Sequence, residues 1–166
     1  MTPAAEIFER AAVSVVARGW HAETFMRADD QVLMAEMVCL GEEIGEFLET
    51  LRMNQPERAG VELADCIISL ISVAMRLGIA AAELSAPRAP ASKPIIVAYG
   101  ALCRAVRRDV GTEHSNAAVE AAAHAVADAI WTAAKQSRLA IDLPGAISAK
   151  AAHDDVVRGY RHGGRS

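Results

Sequence analysis

Apolar residues recur at intervals of three and four along most of this chain, which is the spacing of one face of an α-helix. A first helix is predicted over about residues 3–18, where Gly19 ends it. A second is predicted from Asp29 or Asp30, as the capping residue, to about Arg52. The apolar stripe of the first helix consists of Ile7, Phe8, Ala11, Ala12, Val15 and Val16, and that of the second of Leu33, Met37, Leu40, Ile44, Phe47 and Leu51.

Turn residues divide the rest of the chain into further helices. Asn54, Gln55 and Pro56 predict a tight turn, so a third helix, from about residue 57 or 60 to residue 77, should pack antiparallel to the second. The proline-rich stretch 86–94 predicts an extended linker. Further helices are predicted over about residues 95–110 and 116–138, and a last one, capped by Asp142, ends at residues 163–164.

These elements predict an all-α fold, a helical bundle of about five to six helices within a single domain, residues 1–166. Residues 1–85 form one helical unit, and residues 95–166 form a second, which includes a basic C-terminal segment. The segments that start at Arg76 and at Arg138 are similar helix endings. When the chain is aligned with itself so that Arg76 matches Arg138, Glu62 is aligned with His124 and Asp65 with Ala127. We interpret this as a tandem duplication whose second hairpin is degenerate; two unrelated hairpins are the alternative.

Composition and charge narrow the function classes. The chain is 52% hydrophobic but only 4% aromatic, which favours helices over sheets. A net charge of −4 argues against nucleic-acid binding, which normally needs a basic surface. Cys39, Cys66 and Cys103 have no metal-ligand spacing and are expected to be reduced core residues of a cytoplasmic protein. The longest apolar run is too short for a membrane span, so neither a membrane nor a nucleic-acid partner is expected.

Two acidic pairs carry the candidate chemistry. Glu43 and Glu46 on the second helix, and Glu62 and Asp65 on the third, are each three residues apart and therefore share a helix face. The third helix is apolar almost all round, so its polar row must face a partner or a cavity. Packing the two helices together is expected to bring all four carboxylates close to one another.

Such a cluster needs a counter-charge. Carboxylates about 5 Å apart repel by roughly 3 kcal/mol at an effective dielectric constant near 20. A divalent cation removes this repulsion, and oxygen ligands without His or Cys favour Mg²⁺, or Mn²⁺ as a substitute. The alternative is that the acids form salt bridges with Arg52, Arg58 or Arg76.

The spacing of these acids resembles the paired signature of the MazG-like family of all-α nucleoside triphosphate pyrophosphohydrolases. Glu42, Glu43 and Glu46 resemble its first half, and Glu62 and Asp65 its second. Residues 17–20 resemble the family's entry segment, and Lys150 with residues 158–164 its basic closing segment. The resemblance covers residues 17–84 and 143–164, so the intervening hairpin is extra and can stand in for a second subunit.

The resemblance implies hydrolysis of a nucleoside triphosphate to the monophosphate and pyrophosphate, a reaction that would serve nucleotide-pool cleaning. The metal ligands would be Glu43, Glu46, Glu62 and Asp65. The catalytic residues would be Glu42, which would orient or deprotonate the attacking water, and Glu43. The expected phosphate contacts are Lys150, Arg158, Arg161 and His162, and Trp20 would stack on the base or form a packing lid.

Other interpretations of the chain stay open. A catalytically silent interaction module of the same fold is one alternative, and a di-iron carboxylate protein is another, although the usual Glu-x-x-His pairs are absent. Asp154 and Asp155 either take a separate role near the site or form a solvated helix end, and His124 is expected to be a hydrogen-bonded structural residue. The chain is expected to form a homodimer, unless the second hairpin already makes an intrachain pseudo-dimer.

Overall fold

Helices make up every regular element that the structure describes. The structure is a computed structural model that describes residues 2–17, 29–109, 117–136 and 141–157, and no strand occurs within these ranges. The prediction of an all-α bundle of five to six helices is therefore confirmed. Its elements are α1 (Pro3–Ala17), α2 (Asp29–Arg52), α3 (Pro56–Arg76), a short 3₁₀ helix (Ala81–Leu84), α4 (Ile95–Asp109), α5 (Ala117–Gln136) and α6 (Leu143–Val157).

A tight turn folds α3 back along α2, as the sequence predicts. Asn54 takes a left-handed backbone conformation with φ of 52°, which Asn tolerates better than most residues. Pro56 stands in the first turn of α3, where its missing N–H removes no helical hydrogen bond. Because the turn is so short, the two helices lie side by side along most of their length.

The third helix lies at the centre of the molecule. It contacts α1, α2, α5 and α6, and Leu63, Ile67, Leu70 and Ile71 are completely buried on it. Val61 is the exception among its apolar residues, since it is 49% exposed. The central position explains why α3 is apolar around so much of its circumference, and why its few polar side chains end up facing other helices.

The predicted apolar stripes fail at their last turns. Met37, Leu40, Ile44 and Phe47 are buried as predicted, but Leu51 is 50% exposed. In that turn the buried position belongs to Thr50, whose hydroxyl donates a hydrogen bond to the Glu46 carbonyl at 2.9 Å. Val16 at the end of α1 is likewise exposed. A helical hydroxyl satisfied by its own backbone can replace an apolar side chain, and the periodicity alone does not show this.

The second hairpin consists of α4 and α5, which pack against each other. It joins the first hairpin through contacts of α5 with α3 and of α4 with α2. The proline-rich segment before α4 is non-helical, as predicted, and lies along α5: the Arg88 amide donates to Asp128 at 2.7 Å, and the Ala91 amide donates to Thr132 at 3.1 Å. These bonds fix the segment that connects the two hairpins.

Two further expectations concern cysteines and membranes. The three cysteines are free, with Cys66 buried and the other two partly buried. None of the helices in the described ranges combines the length and the apolar character that crossing a bilayer requires.

Candidate metal centre

The packing of α2 against α3 gathers three of the four predicted carboxylates. Glu43, Glu62 and Asp65 each offer an oxygen atom within 4.8 Å of the other two, and we call these three residues the carboxylate cluster. Glu62 is only 4% exposed, while Glu43 and Asp65 are half-buried. The cluster forms because the polar row of the otherwise apolar α3 meets the edge of the buried stripe of α2.

The local environment favours the neutral forms of two of these acids. Burial, together with the negative charges of Asp65 and Glu46, raises the pKa of Glu43 to about 7. Burial also raises the pKa of Asp65, although its hydrogen bond with Lys150 opposes the change. Burial and the neighbouring negative charges thus outweigh the positive charge that Lys150 supplies to these two acids, and a bound cation would oppose this effect.

Lys150 on α6 reaches the cluster from the far end of the chain. Its Nζ lies 2.8 Å from Oδ1 of Asp65 and 2.9 Å from Oδ2. It also lies 3.9 Å from Oδ1 of Asp154, which is 2% exposed. The expectation of a solvated helix end is therefore wrong for Asp154. This residue belongs to α6, which packs against α1 and α3, and its side chain is buried.

Of the three arginines that were alternative partners for the predicted acids, one contacts the carboxylate cluster and two contact other acids. Arg58 donates to Glu62 at 2.7 Å, so this one salt bridge does involve the cluster. Arg52 donates instead to Glu49, with 2.7 Å between Nε and Oε2. The three pairs are Arg52 with Glu49, Arg58 with Glu62, and Arg76 with Glu36.

The pair of Arg76 and Glu36 is a feature that the sequence analysis missed. Glu36 is 2% exposed, and its Oε1 accepts from Nε of Arg76 at 3.3 Å. Burial raises the pKa of Glu36, and the charge of Arg76 opposes this rise. Glu36 precedes Glu43 by two helical turns, so a polar seam continues between α2 and α3 beyond the carboxylate cluster.

A wide cleft opens next to the cluster. Its volume is about 840 Å³. Glu42 and Glu46 are exposed and line it, but Glu46 contributes no oxygen to the group of three that meet within 4.8 Å. The residues that line the cleft are Glu42, Glu43, Gly45, Glu46, Glu49, Thr50, Met53, Gln55 and Arg58.

Most of the other predicted substrate contacts cannot be placed relative to the cluster. Trp20, Arg158, Arg161 and His162 are outside the described residues, so their predicted roles stay predictions. Lys150 is the one predicted phosphate contact that the structure describes, and there it pairs with Asp65.

A second polar cluster was not found by sequence reasoning. Glu83 of the 3₁₀ helix and Glu120 and His124 of α5 bring one ligand atom each to within 4.8 Å of one another. His124 was expected to be a hydrogen-bonded structural residue; it is buried, but its Nε2 has no hydrogen-bond partner among the described residues. The spacing of Glu120 and His124 was visible in the sequence, but Glu83 joins them only through the fold.

Comparison of the chain with protein-family models, with curated proteins and with solved structures found no match. Three carboxylates from two rigid helices, with oxygen atoms within 4.8 Å of one another, form a hard, negatively charged donor set that suits Mg²⁺ or Mn²⁺.

Proposed function

We propose that this chain is a Mg²⁺-dependent nucleoside triphosphate pyrophosphohydrolase, which converts a triphosphate and water to the monophosphate and pyrophosphate. The observation that carries the proposal is the carboxylate cluster beside a cleft of about 840 Å³. That volume lies within the range of about 300–1,000 Å³ that is usual for small-molecule sites. Three acids of the predicted signature, Glu42, Glu43 and Glu46, line this cleft, and Glu43 is also a member of the carboxylate cluster.

The donor set of the cluster fits a hard divalent ion. Two ligands that each lie about 2.1 Å from one ion are at most about 4.2 Å apart. Oxygens that already meet within 4.8 Å need only small side-chain rotations to reach such an arrangement. Bound Mg²⁺ would neutralise phosphate charge, polarise the scissile phosphoryl group and lower the pKa of a coordinated water.

The protein's own side chains have separate roles in this proposal. Glu43, Glu62 and Asp65 supply the ligands for the ion, and Glu46 contributes a nearby carboxylate at the cleft wall. Glu42, exposed on the same wall, is placed to accept a proton from water that enters the cleft. Arg58 also lines the cleft, where its guanidinium can leave Glu62 and hold a phosphate oxygen.

In this proposal Lys150 exchanges one partner, the Asp65 carboxylate, for another, the substrate phosphate. Its ammonium group holds Asp65 from both carboxylate oxygens. An ion held by Asp65 would repel this ammonium group, so Lys150 would leave the carboxylate. A triphosphate chain would offer the ammonium group a new partner, which is the phosphate contact proposed for Lys150.

The same ion pairs favour a second candidate function, a catalytically silent helical interaction module. Lys150 and Arg58 already neutralise part of the charge of Asp65 and Glu62, which is what a cluster that never binds metal would require. The two candidates differ in one respect that can be measured: only the enzyme releases pyrophosphate.

The test is a pyrophosphate-release assay with Mg²⁺ over a panel of ordinary and modified nucleoside triphosphates. Substituting Glu43→Gln removes a ligand charge without changing side-chain volume, and we expect turnover to fall by at least about a hundredfold. Glu49→Gln is the matched control, since Glu49 lines the same cleft but pairs with Arg52. Equal activity of the wild type and Glu43→Gln would remove Glu43 from the mechanism. No pyrophosphate from any substrate would favour the interaction module.

A further inference from the structure

We propose that Glu83, Glu120 and His124 form a second metal site, which binds a divalent transition-metal ion of the Zn²⁺ class at the junction between the 3₁₀ helix and α5. The site shares no residue with the carboxylate cluster, and none of its three residues has a role in the proposed hydrolase. We call these three residues the junction site.

The distances within the junction site suit a single ion. Nε2 of His124 lies 3.9 Å from Oε2 of Glu83 and 3.9 Å from Oε1 of Glu120. Ligands that each lie about 2.1 Å from one zinc ion can be no more than about 4.2 Å apart. Both separations fall below this limit, although they are too long for hydrogen bonds. The ligand atoms of all three residues lie within 4.8 Å of one another, so small side-chain rotations would let a single ion bind between them.

The burial of His124 also supports a bound ion, independently of these distances. Its side chain is 5% exposed, and Nε2 makes no hydrogen bond with any described residue. An unpaired buried polar atom is costly, and native proteins usually satisfy it with a partner, a water or an ion. Nε2 is directed towards two carboxylates, so a cation at their midpoint would satisfy all three groups together.

Arg88 supplies the positive charge that faces the two carboxylates of the junction site when no metal is bound. Its Nη2 lies 2.9 Å from Oε2 of Glu83, and its Nη1 lies 3.7 Å from Oε1 of Glu120. These are the same two oxygens that face His124. The Arg88 side chain is about half exposed, and its backbone amide is held by Asp128, so the guanidinium can swing into solvent while the chain stays in place.

Arg88 also affects the state of the imidazole. Burial and the nearby positive charge of Arg88 lower the pKa of His124, while Glu83, Glu120 and Asp128 act in the opposite direction. A neutral imidazole keeps a lone pair for a metal.

The donor types decide which ion the junction site takes. One imidazole and two carboxylates form the kind of mixed nitrogen and oxygen set that zinc and related transition metals prefer, whereas Mg²⁺ prefers oxygen alone. Glu83 and Glu120 are each about half exposed, so water can complete the coordination. The bound ion would join the 3₁₀ helix, at the end of the first helical unit, to α5 of the second hairpin.

The experiment is a calorimetric titration of the full chain with Zn²⁺, with thiols kept reduced and Mg²⁺ in excess. Glu120→Gln keeps side-chain volume at a half-exposed position, and we expect it to weaken Zn²⁺ binding by at least about tenfold. His124→Ala should do the same, with thermal unfolding as a check that it folds. Arg88→Met removes the competing cation and should tighten binding by about tenfold or more.

The control separates this proposal from the proposed hydrolase. Glu43→Gln disables the carboxylate cluster but should leave Zn²⁺ affinity unchanged, so the junction site can be present whether or not pyrophosphate is released. Three results would overturn the proposal: no Zn²⁺ binding even in Arg88→Met, undiminished binding in Glu120→Gln, or loss of binding in Glu43→Gln. The second would assign the zinc to other groups, such as the free thiols.

Discussion

At the scale of single residues, the sequence predicted which acids come together better than it predicted their partners. Glu43, Glu62 and Asp65 were identified because two acidic pairs stand beside apolar stripes, and the fold brings them together. Local periodicity extends only over a few helical turns, so it could not show that Lys150 reaches Asp65 from a distant helix. It also could not show that Glu46 stays outside the group of three.

The raised pKa of Glu43 gives a residue-scale prediction. Its pKa is about 7 in the folded chain against an ordinary value of 4.5, so folding favours the protonated form. The corresponding stability is present below the ordinary pKa and is lost as the pH rises through about 7. Glu43→Gln does not titrate. Without metal, we expect its Tm to match that of the wild type near about pH 4 and to exceed it by several degrees near about pH 8.

The measurement is thermal unfolding of both proteins across this pH range, with and without Mg²⁺. Acids remote from the cluster titrate equally in both proteins, so the difference between the two curves reports Glu43 together with its coupling to Asp65 and Glu46. Saturating Mg²⁺ should raise the Tm of the wild type at the higher pH and leave the variant nearly unchanged. A Tm difference that does not vary with pH would show that the charge of Glu43 is not destabilising.

At the scale of elements, helix boundaries followed from turn residues, but close contacts between helices did not. Asp142 illustrates what capping chemistry can predict: its carboxylate accepts from the Gly145 amide at 3.2 Å at the start of α6. Gly41 illustrates the opposite case. Nothing in the sequence around it indicates that Tyr99 of α4 lies against this helix, with its hydroxyl donating to the Met37 carbonyl at 2.7 Å.

A matched pair of glycine substitutions on α2 tests this contact between α2 and α4. A Cβ at Gly41 would lie 2.6 Å from the Tyr99 hydroxyl oxygen, whereas a Cβ at Gly45 would meet no atom within 4 Å. We expect Gly41→Ala to destabilise the fold by about 1–3 kcal/mol because the two helices must separate. Gly45→Ala, one turn later, should stabilise it by about 0.5–1 kcal/mol through helix propensity.

Urea unfolding measures both effects. Tyr99→Phe removes the clashing hydroxyl, so it should recover part of the loss in Gly41→Ala, although the ring carbon that bears the hydroxyl would still be 3.0 Å from the new Cβ. If both alanine variants gained stability equally, α4 would not pack on α2 at this point.

At the scale of the whole molecule, α3 unites features that are distant in sequence. It presents Glu62 and Asp65 to α2, receives Lys150 from α6 and packs against α5 of the second hairpin. The sequence predicted the two hairpins and their order. It could not predict the junction site, because Glu83 joins Glu120 and His124 only when the linker is laid along α5. The tandem duplication and the homodimer stay predictions.

The central claim is that α2 and α3 together hold a hard divalent ion, and calorimetric titration with Mg²⁺ tests it most directly. We expect the wild type to bind Mg²⁺, with affinity reduced at least about tenfold in Asp65→Asn and unchanged in Glu49→Gln and Glu120→Gln. Unchanged Mg²⁺ affinity in Asp65→Asn, or no Mg²⁺ binding by the wild type, would contradict the claim.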